Sequence, residues 1–171
     1  MTASADDSRA ITTQSVAETM AVGAAVARAA VAGDVITLDG QLGAGKTQFV
    51  RGMAQGLGLD VSKVASPTFV LMHEYDLAGT PAASRGIDYL VHIDAYRLHS
   101  LADLESIGWE PGSDSMEQEL RRRAIVVVEW ADRLGDTLGN DRLAITLEHT
   151  GDNTRRITLT PQGNWRGRAI A

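Results

Sequence analysis

The stretch "GQLGAGKT", Gly40 to Thr47, holds the residue types and spacing most able to do chemistry. It fits G-x-x-x-x-G-K-[ST] through Gly40, Gly45, Lys46 and Thr47. Gly40, Gly43 and Gly45 permit backbone torsions and close approach that a Cβ would block. The N–H groups of Gly43, Ala44, Gly45, Lys46, Thr47 and Gln48 can then point at phosphate oxygens. They do so from a predicted helix N-terminus, whose dipole favours anions. Lys46 supplies a point charge for β- and γ-phosphates, and the Thr47 hydroxyl can ligate Mg2+.

Such a loop needs a second metal anchor at the end of a neighbouring strand. Two acids qualify: Asp94 ends "LVHID" and Glu129 ends "IVVVE". Either alone could be a strand terminus that faces solvent. On one sheet with a phosphate loop, both become candidates, because such sites lie at the carboxyl ends of parallel strands. His92 sits two residues before Asp94, shares that strand face and could orient the acid. His73, His92, His99 and His149 form no pair at metal-ligand spacing, so packing and hydrogen bonding are their default roles. Trp130 follows Glu129 directly. Regular alternation sends it to the opposite side of the strand as a packing residue. Where the strand breaks, it becomes a wall beside the site.

These residues need a scaffold. "VITLDG" predicts a strand from Val35 to Asp39, leading into the loop. "TQFVRGMAQGLG" has helical spacing at Phe49, Val50, Met53 and Leu57 and closes at Gly56 or Gly58. Upstream, "SVAETMAVGAAVARAAVAGD" predicts a helix capped by Ser15, with Glu18 completing a capping box and Gly33 as the stop. "PTFVLMHEYDL" reads as extended, "GTPAASRG" as a turn-rich mobile loop, and "YLVHIDAYRL" as a buried strand. "SLADLESIGW" predicts a short helix with Ser100 as cap and Asp103 three residues on. "SMEQELRRR" predicts a further helix and "AIVVVEW" a buried strand. "RLAITLEH" and "RRITLT" form a hairpin-like pair across "TGDN", and the Gly-rich end "QGNWRGRAIA" gives no clear signal. The strand runs are continuous and β-branched, as expected where both faces are covered. The order predicts a P-loop NTPase-like three-layer α/β sandwich, with a mainly parallel central sheet and antiparallel C-terminal strands.

The 171 residues, 44% hydrophobic, suffice for one core, and residues 1–171 are expected to form a single domain. Residues 1–13 are polar and read as a flexible tail. A net charge of -6 argues against gripping nucleic acid across a broad basic face. The one basic run, Arg121 to Arg123, reads as a solvated helix face. The absence of cysteine excludes disulfides, thiolate metal sites and cysteine nucleophiles, and suits a reducing cytoplasm. "MTASADDSRAITTQ" has no apolar core of a secretory signal, and no apolar run approaches membrane-spanning length. A cytoplasmic location is expected.

The set "GQLGAGKT", "SPTF", "HIDAYRL" and "VVVEW", in this order and spacing, resembles the TsaE family of small bacterial P-loop ATPases. The resemblance runs from about Ser15 to Leu159. It implies Mg-dependent ATP binding and hydrolysis, slow and partner-stimulated. That activity would support threonylcarbamoyladenosine modification of tRNA, through a complex with two partner proteins of the actin-like ATPase fold. Lys46 and Thr47 then look like the phosphate lysine and the Mg2+ hydroxyl. Ser66, Pro67 and Thr68 match a switch-like "SPT" segment near the γ-phosphate. Asp94 matches an acid needed for hydrolysis, and Tyr96 and Arg97 belong to its motif, with packing or ion pairing as an equal alternative. Thr68 has a second reading as a turn-closing hydroxyl after Pro67. Glu129 matches the acid that stands in for the usual aspartate at Mg2+, and Trp130 matches the aromatic beside it. Arg155 or Arg156 lies where the family has an arginine close to the nucleotide. The chain departs from the pattern at "EWAD", where relatives often place proline after tryptophan. A competing reading is a small nucleoside or nucleotide kinase. That would need an acceptor pocket and an Arg-rich lid, for which Arg121 to Arg123 is the one candidate. A GTP-type switch is disfavoured because the chain lacks the N-K-x-D guanine-reading pattern.

Overall fold

A computed structural model describes residues 7–108 and 122–170. Seven strands make one sheet: β1 (Arg9–Thr13), β2 (Val35–Asp39), β3 (Met72–Asp76), β4 (Tyr89–Asp94), β5 (Ala124–Glu129), β6 (Leu143–His149) and β7 (Arg155–Pro161). The helices are α1 (Val16–Ala29), α2 (Lys46–Leu57) and α3 (Leu101–Ser106). The strand order is β1-β7-β6-β2-β5-β4-β3. The four central strands β6, β2, β5 and β4 run parallel, while β7, β1 and β3 pair antiparallel. The P-loop NTPase-like sheet predicted from the pattern is therefore the one observed.

The apolar runs of β4 and β5 are continuous because both faces of these strands are covered. Along β5, Ile125 and Val127 join one buried cluster with Phe49, Met53 and Val26 of α1 and α2. Val126 and Val128 join a second cluster with Ile93, Leu98, Leu104 and Leu134 on the other face. The parallel register places Asp94 beside Glu129, and Leu38 beside Glu129 on the other side. Both acids and the loop after β2 thus meet at one carboxyl edge.

Local signals account for the helix ends. Ser15 Oγ accepts from Glu18 N at 3.1 Å, and the Glu18 carboxylate accepts from Gln14 N at 2.7 Å. Gly58 closes α2 at a φ of 87°. Ser100 caps α3 by accepting from Asp103 N at 3.1 Å. β6 and β7 form the predicted hairpin.

Three expectations are corrected. Residues 9–13 are not a tail: they form β1, the outermost strand, paired with β7 from Arg9↔Leu159 to Thr13↔Arg155. The polar composition hid a strand because only one of its faces meets the core. Thr13 is buried there and shares a 3.0 Å hydrogen bond with Thr19 of α1. The stretch after Pro67 is not extended throughout. Leu71 N donates to Pro67 O at 2.6 Å, Leu71 takes a φ of 69°, and the strand begins only at Met72. The "GTPAASRG" segment is anchored rather than a mobile loop. Ala82 and its flanks Leu77 and Ile87 are buried, and the Arg85 guanidinium donates to the Ala27, Arg28 and Ala30 carbonyls, capping α1. The Gly-rich C-terminal end also packs: Trp165 is buried, and Arg168 forms a two-pronged ion pair with Asp34 at 2.6 and 3.1 Å. Trp109 and most of the helix predicted over "SMEQELRRR" lie outside the described residues. Among the described residues no helix is long and apolar enough to cross a membrane.

Candidate active site

The loop between β2 and α2 turns through three glycines with positive φ: Gly40 at 146°, Gly43 at 78° and Gly45 at 106°. At Gly40 a Cβ would come within 2.3 Å of the Leu147 carbonyl oxygen, so only glycine lets the loop leave the sheet there. Lys46 opens α2 and is buried. Its Nζ donates to Gly40 O at 2.6 Å and Gln41 O at 3.0 Å, and stands 3.6 Å from the centre of the Trp130 ring. Burial pushes the Lys46 ammonium below the usual lysine range, while Glu129, Asp94, Asp39 and Asp132 push it back up.

Thr47 and Glu129 come together, with Thr47 Oγ1 donating to Glu129 Oε1 at 3.0 Å. Asp94 meets the segment after the short 3-10 turn Val61–Lys63: Thr68 Oγ1 donates to Asp94 Oδ2 at 2.9 Å, and the Ser66 and Thr68 hydroxyls lie 2.7 Å apart. Asp94 Oδ1 accepts from Tyr96 N at 2.9 Å, which holds the carboxylate from its own backbone. Lys46, Thr47, Thr68, Asp94, Glu129 and Trp130 line one cleft of about 250 Å³ with loop residues Gly43, Gly45 and Gln48. That is smaller than most sites for drug-sized ligands, and suits a phosphate chain better than a whole nucleotide.

A second depression of about 220 Å³ lies against the same loop residues Gly43, Gly45 and Gln48. Its other walls are Ser15, Val16 and Thr19 from the start of α1 and Asn153 and Arg155 from the hairpin. Arg155 Nε donates to Ala44 O at 3.1 Å, and the same guanidinium donates to Thr154 O at 3.0 Å. Of the two arginines left open in the sequence, Arg155 is the one that reaches the loop. Arg156 is exposed, one residue on.

Two sequence readings meet the geometry differently. His92 does not orient Asp94: its Nε2 lies 2.8 Å from Glu129 Oε1. The parallel register sets His92 beside Val127 and Asp94 beside Glu129, so the histidine reaches diagonally to the next strand. Trp130 realises the broken-strand alternative. It adopts a φ of 59°, donates its N–H to Leu38 O at 2.9 Å, and turns its ring into the cleft instead of across the sheet. There Tyr96 meets it edge-on at 5.2 Å, and the Arg133 guanidinium covers the Tyr96 ring at 4.5 Å.

Of the possible lid, Arg123 lies away from the cleft. Arg123 pairs with Asp88 at 3.0 Å just before β5 and β4 begin, at the amino edge opposite the loop, and Arg121 lies outside the described residues. Sequence reasoning missed Asp39 and Asp132. Asp39 accepts from Asp132 N at 2.8 Å, and burial, with Asp132 beside it, raises its carboxyl above the usual range. The signal for Asp39 was its place at the end of β2, directly before the loop.

Among the described residues no cluster of three or more His, Cys, Asp or Glu could hold a metal ion. Thr47 and Glu129 offer two neighbouring oxygens, which is the sparse donor set that suits Mg2+ completed by phosphate and water. The residues present therefore fit that ion.

A family model described as threonylcarbamoyl adenosine biosynthesis protein TsaE matches residues 13–157. The chain is 37% identical over 147 residues to the tRNA threonylcarbamoyladenosine biosynthesis protein TsaE of Bacillus subtilis, covering 86% of this chain and 82% of the relative. It is 38% identical over 152 residues to the Mycobacterium tuberculosis protein of the same name, covering 86% and 83%. With the Treponema pallidum protein it shares 34% over 146 residues, covering 85% and 96%. Among solved structures, the crystal structure of YdiB of Bacillus subtilis superposes with a TM-score of 0.68 at 31% identity, covering 92% of this chain and 88% of that one.

Proposed function

This chain belongs to the TsaE family, and from that premise we propose that it binds and hydrolyses Mg-ATP in support of threonylcarbamoyladenosine modification of tRNA. In this reading it acts in the cytoplasm through a complex with two actin-fold proteins and does not itself grip RNA. The observation that carries the nucleotide part is the Thr47–Glu129 contact at 3.0 Å, beside the loop and one strand from Asp94.

The loop N–H groups from Gly43 to Gln48 receive the phosphates, and Lys46 leaves the Gly40 and Gln41 carbonyls to meet the β- and γ-oxygens. Thr47 and Glu129 hold Mg2+, directly or through water, and Mg2+ when bound neutralises charge on the phosphate chain. Arg155 and the α1 end of the second depression receive the nucleoside portion, because that depression adjoins the phosphate loop. Trp130 walls the phosphate cleft. Thr68 turns from Asp94 toward the γ-phosphate, and the released carboxylate positions or activates water for in-line attack. Positioning and electrostatics supply most of the rate.

Calorimetric titration with ATP and GTP, followed by phosphate release with and without the two actin-fold proteins, tests this. Preferential ATP binding and partner-stimulated hydrolysis are expected. Phosphoryl transfer to a nucleoside panel would overturn the reading in favour of a kinase.

A further inference from the structure

The proposal for Mg-ATP leaves one residue at the metal side without a role. His92 lies on β4 with 0% exposure, and its Nε2 stands 2.8 Å from Glu129 Oε1. An ionised carboxylate only accepts, so Nε2 carries the hydrogen and donates. In the neutral ring Nδ1 is then an acceptor, and among the described residues it has no hydrogen-bond partner. Burying such a nitrogen costs free energy that a leucine or phenylalanine of similar bulk would avoid. Packing alone therefore gives no reason for histidine at this position, whereas its other nitrogen has one acceptor to serve.

That acceptor needs holding. Glutamate has one more rotatable side-chain bond than aspartate, so its carboxylate is less determined by the strand that carries it. Here both described contacts of the carboxylate fall on Oε1, from Thr47 Oγ1 at 3.0 Å on the loop side and from His92 on the sheet side. Gripped from two directions at one oxygen, the group keeps its other oxygen for the cleft that Glu129 lines. Thr47 belongs to the phosphate loop. His92 belongs to the rigid centre of the sheet, and is the anchor independent of the loop.

We propose that His92 is the positioning residue for Glu129, fixing the carboxylate toward the metal side of the cleft and so setting how strongly Mg2+ raises nucleotide affinity. The proposal rests on the Mg-nucleotide reading above. Partners of this kind behind a metal-side ligand typically change metal affinity by 10- to 100-fold when removed.

The test measures the ADP dissociation constant in EDTA and in Mg2+ for the wild type, His92→Phe and His92→Gln, by calorimetry on the full chain. ADP is not hydrolysed, so turnover does not enter. The ratio of the two constants is expected to fall by about 10-fold or more in His92→Phe, with affinity in EDTA unchanged. His92→Gln keeps an amide donor and is expected to retain most of the ratio. His92→Leu replaces the phenylalanine variant if that one fails to fold. An unchanged ratio, an equal loss with and without Mg2+, or a glutamine variant as impaired as the phenylalanine one would each overturn the proposal. A wild type that binds ADP with no response to Mg2+ would overturn it and leave nucleotide binding standing. A wild type that binds no nucleotide would overturn the proposed function and this inference together.

Discussion

Thr47 and Glu129 are 82 residues apart in the chain, yet the hydroxyl of one donates to the carboxylate of the other at 3.0 Å. The contact joins the first turn of α2 to the tip of β5, so it exists only when the loop and the central sheet are correctly assembled. It also separates the surroundings of the two strand-end acids. Glu129 meets the Thr47 hydroxyl, while Asp94 meets that of Thr68.

Glu129→Ala is therefore expected to abolish Mg-dependent ATP hydrolysis, with a loss of at least about 100-fold, and to remove the Mg2+ dependence of nucleotide affinity. It also strands the buried Nε2 of His92, which lowers stability by about 1–3 kcal/mol. Phosphate release and a denaturant melt check the two effects separately. Full hydrolysis in the alanine variant would remove Glu129 from the metal side.

Asp94→Ala is expected to cut hydrolysis in the assembled complex by about 100- to 10,000-fold, the usual range for a lost general base. ADP affinity should barely move, because the described hydrogen bonds of the carboxylate go to Thr68 and the Tyr96 backbone and none to the loop. Thr68→Ala should give a smaller loss in the same direction, since it removes the partner and not the base. Single-turnover phosphate release together with ADP titration separates these outcomes. An Asp94→Ala protein with full ATPase rate would end its assignment.

The phosphate loop, both strand-end acids and the hairpin were legible because each is a local pattern: a motif, an apolar run closed by an acid, two alternating runs around a turn. What stayed hidden depends on pairing between distant segments. Residues 9–13 look like a polar tail until β7 supplies an edge to pair with. His92 appears to serve Asp94, its neighbour in sequence, until the register of β4 against β5 brings Glu129 within reach. Trp130 obeys alternation on paper, and leaves it because the strand ends at Glu129 with a positive φ at the next residue. Arg85 looked like part of a loose turn because its acceptors, the last carbonyls of α1, lie more than fifty residues upstream.

The contact between α1 and α2 was equally invisible, and it gives a stability prediction. Gly23 and Gly52 let the two helix backbones touch: a Cβ at Gly52 would lie 2.0 Å from the Met20 carbonyl oxygen, and one at Gly23 would lie 2.2 Å from that of Phe49. In an isolated helix Gly→Ala would gain about 1 kcal/mol of propensity. Here the new methyl must push backbone away, and overpacking of this kind costs about 1–3 kcal/mol or more. Gly52→Ala is therefore expected to lower the melting temperature in spite of the better helix former. A rise on a thermal scan would show that the helices separate freely.

Lys46 supplies the last test, a pH dependence whose sign follows from burial. Its ammonium is pushed below the usual 10.5 by loss of solvent, only partly offset by Glu129 and Asp94. Between the lowered folded value and 10.5 the unfolded chain binds more protons than the folded one, so stability rises with pH across that window. Below the window both states hold the proton and the cost of the buried charge is present in full. Lys46→Met has no such proton to release. The stability of the wild type relative to Lys46→Met, without nucleotide, is therefore expected to increase as pH rises from neutrality toward 10.5. Parallel urea titrations of both proteins across that range measure it. A difference that stays flat or falls would show that the ammonium, held by the Gly40 and Gln41 carbonyls and the Trp130 ring, bears no net desolvation cost.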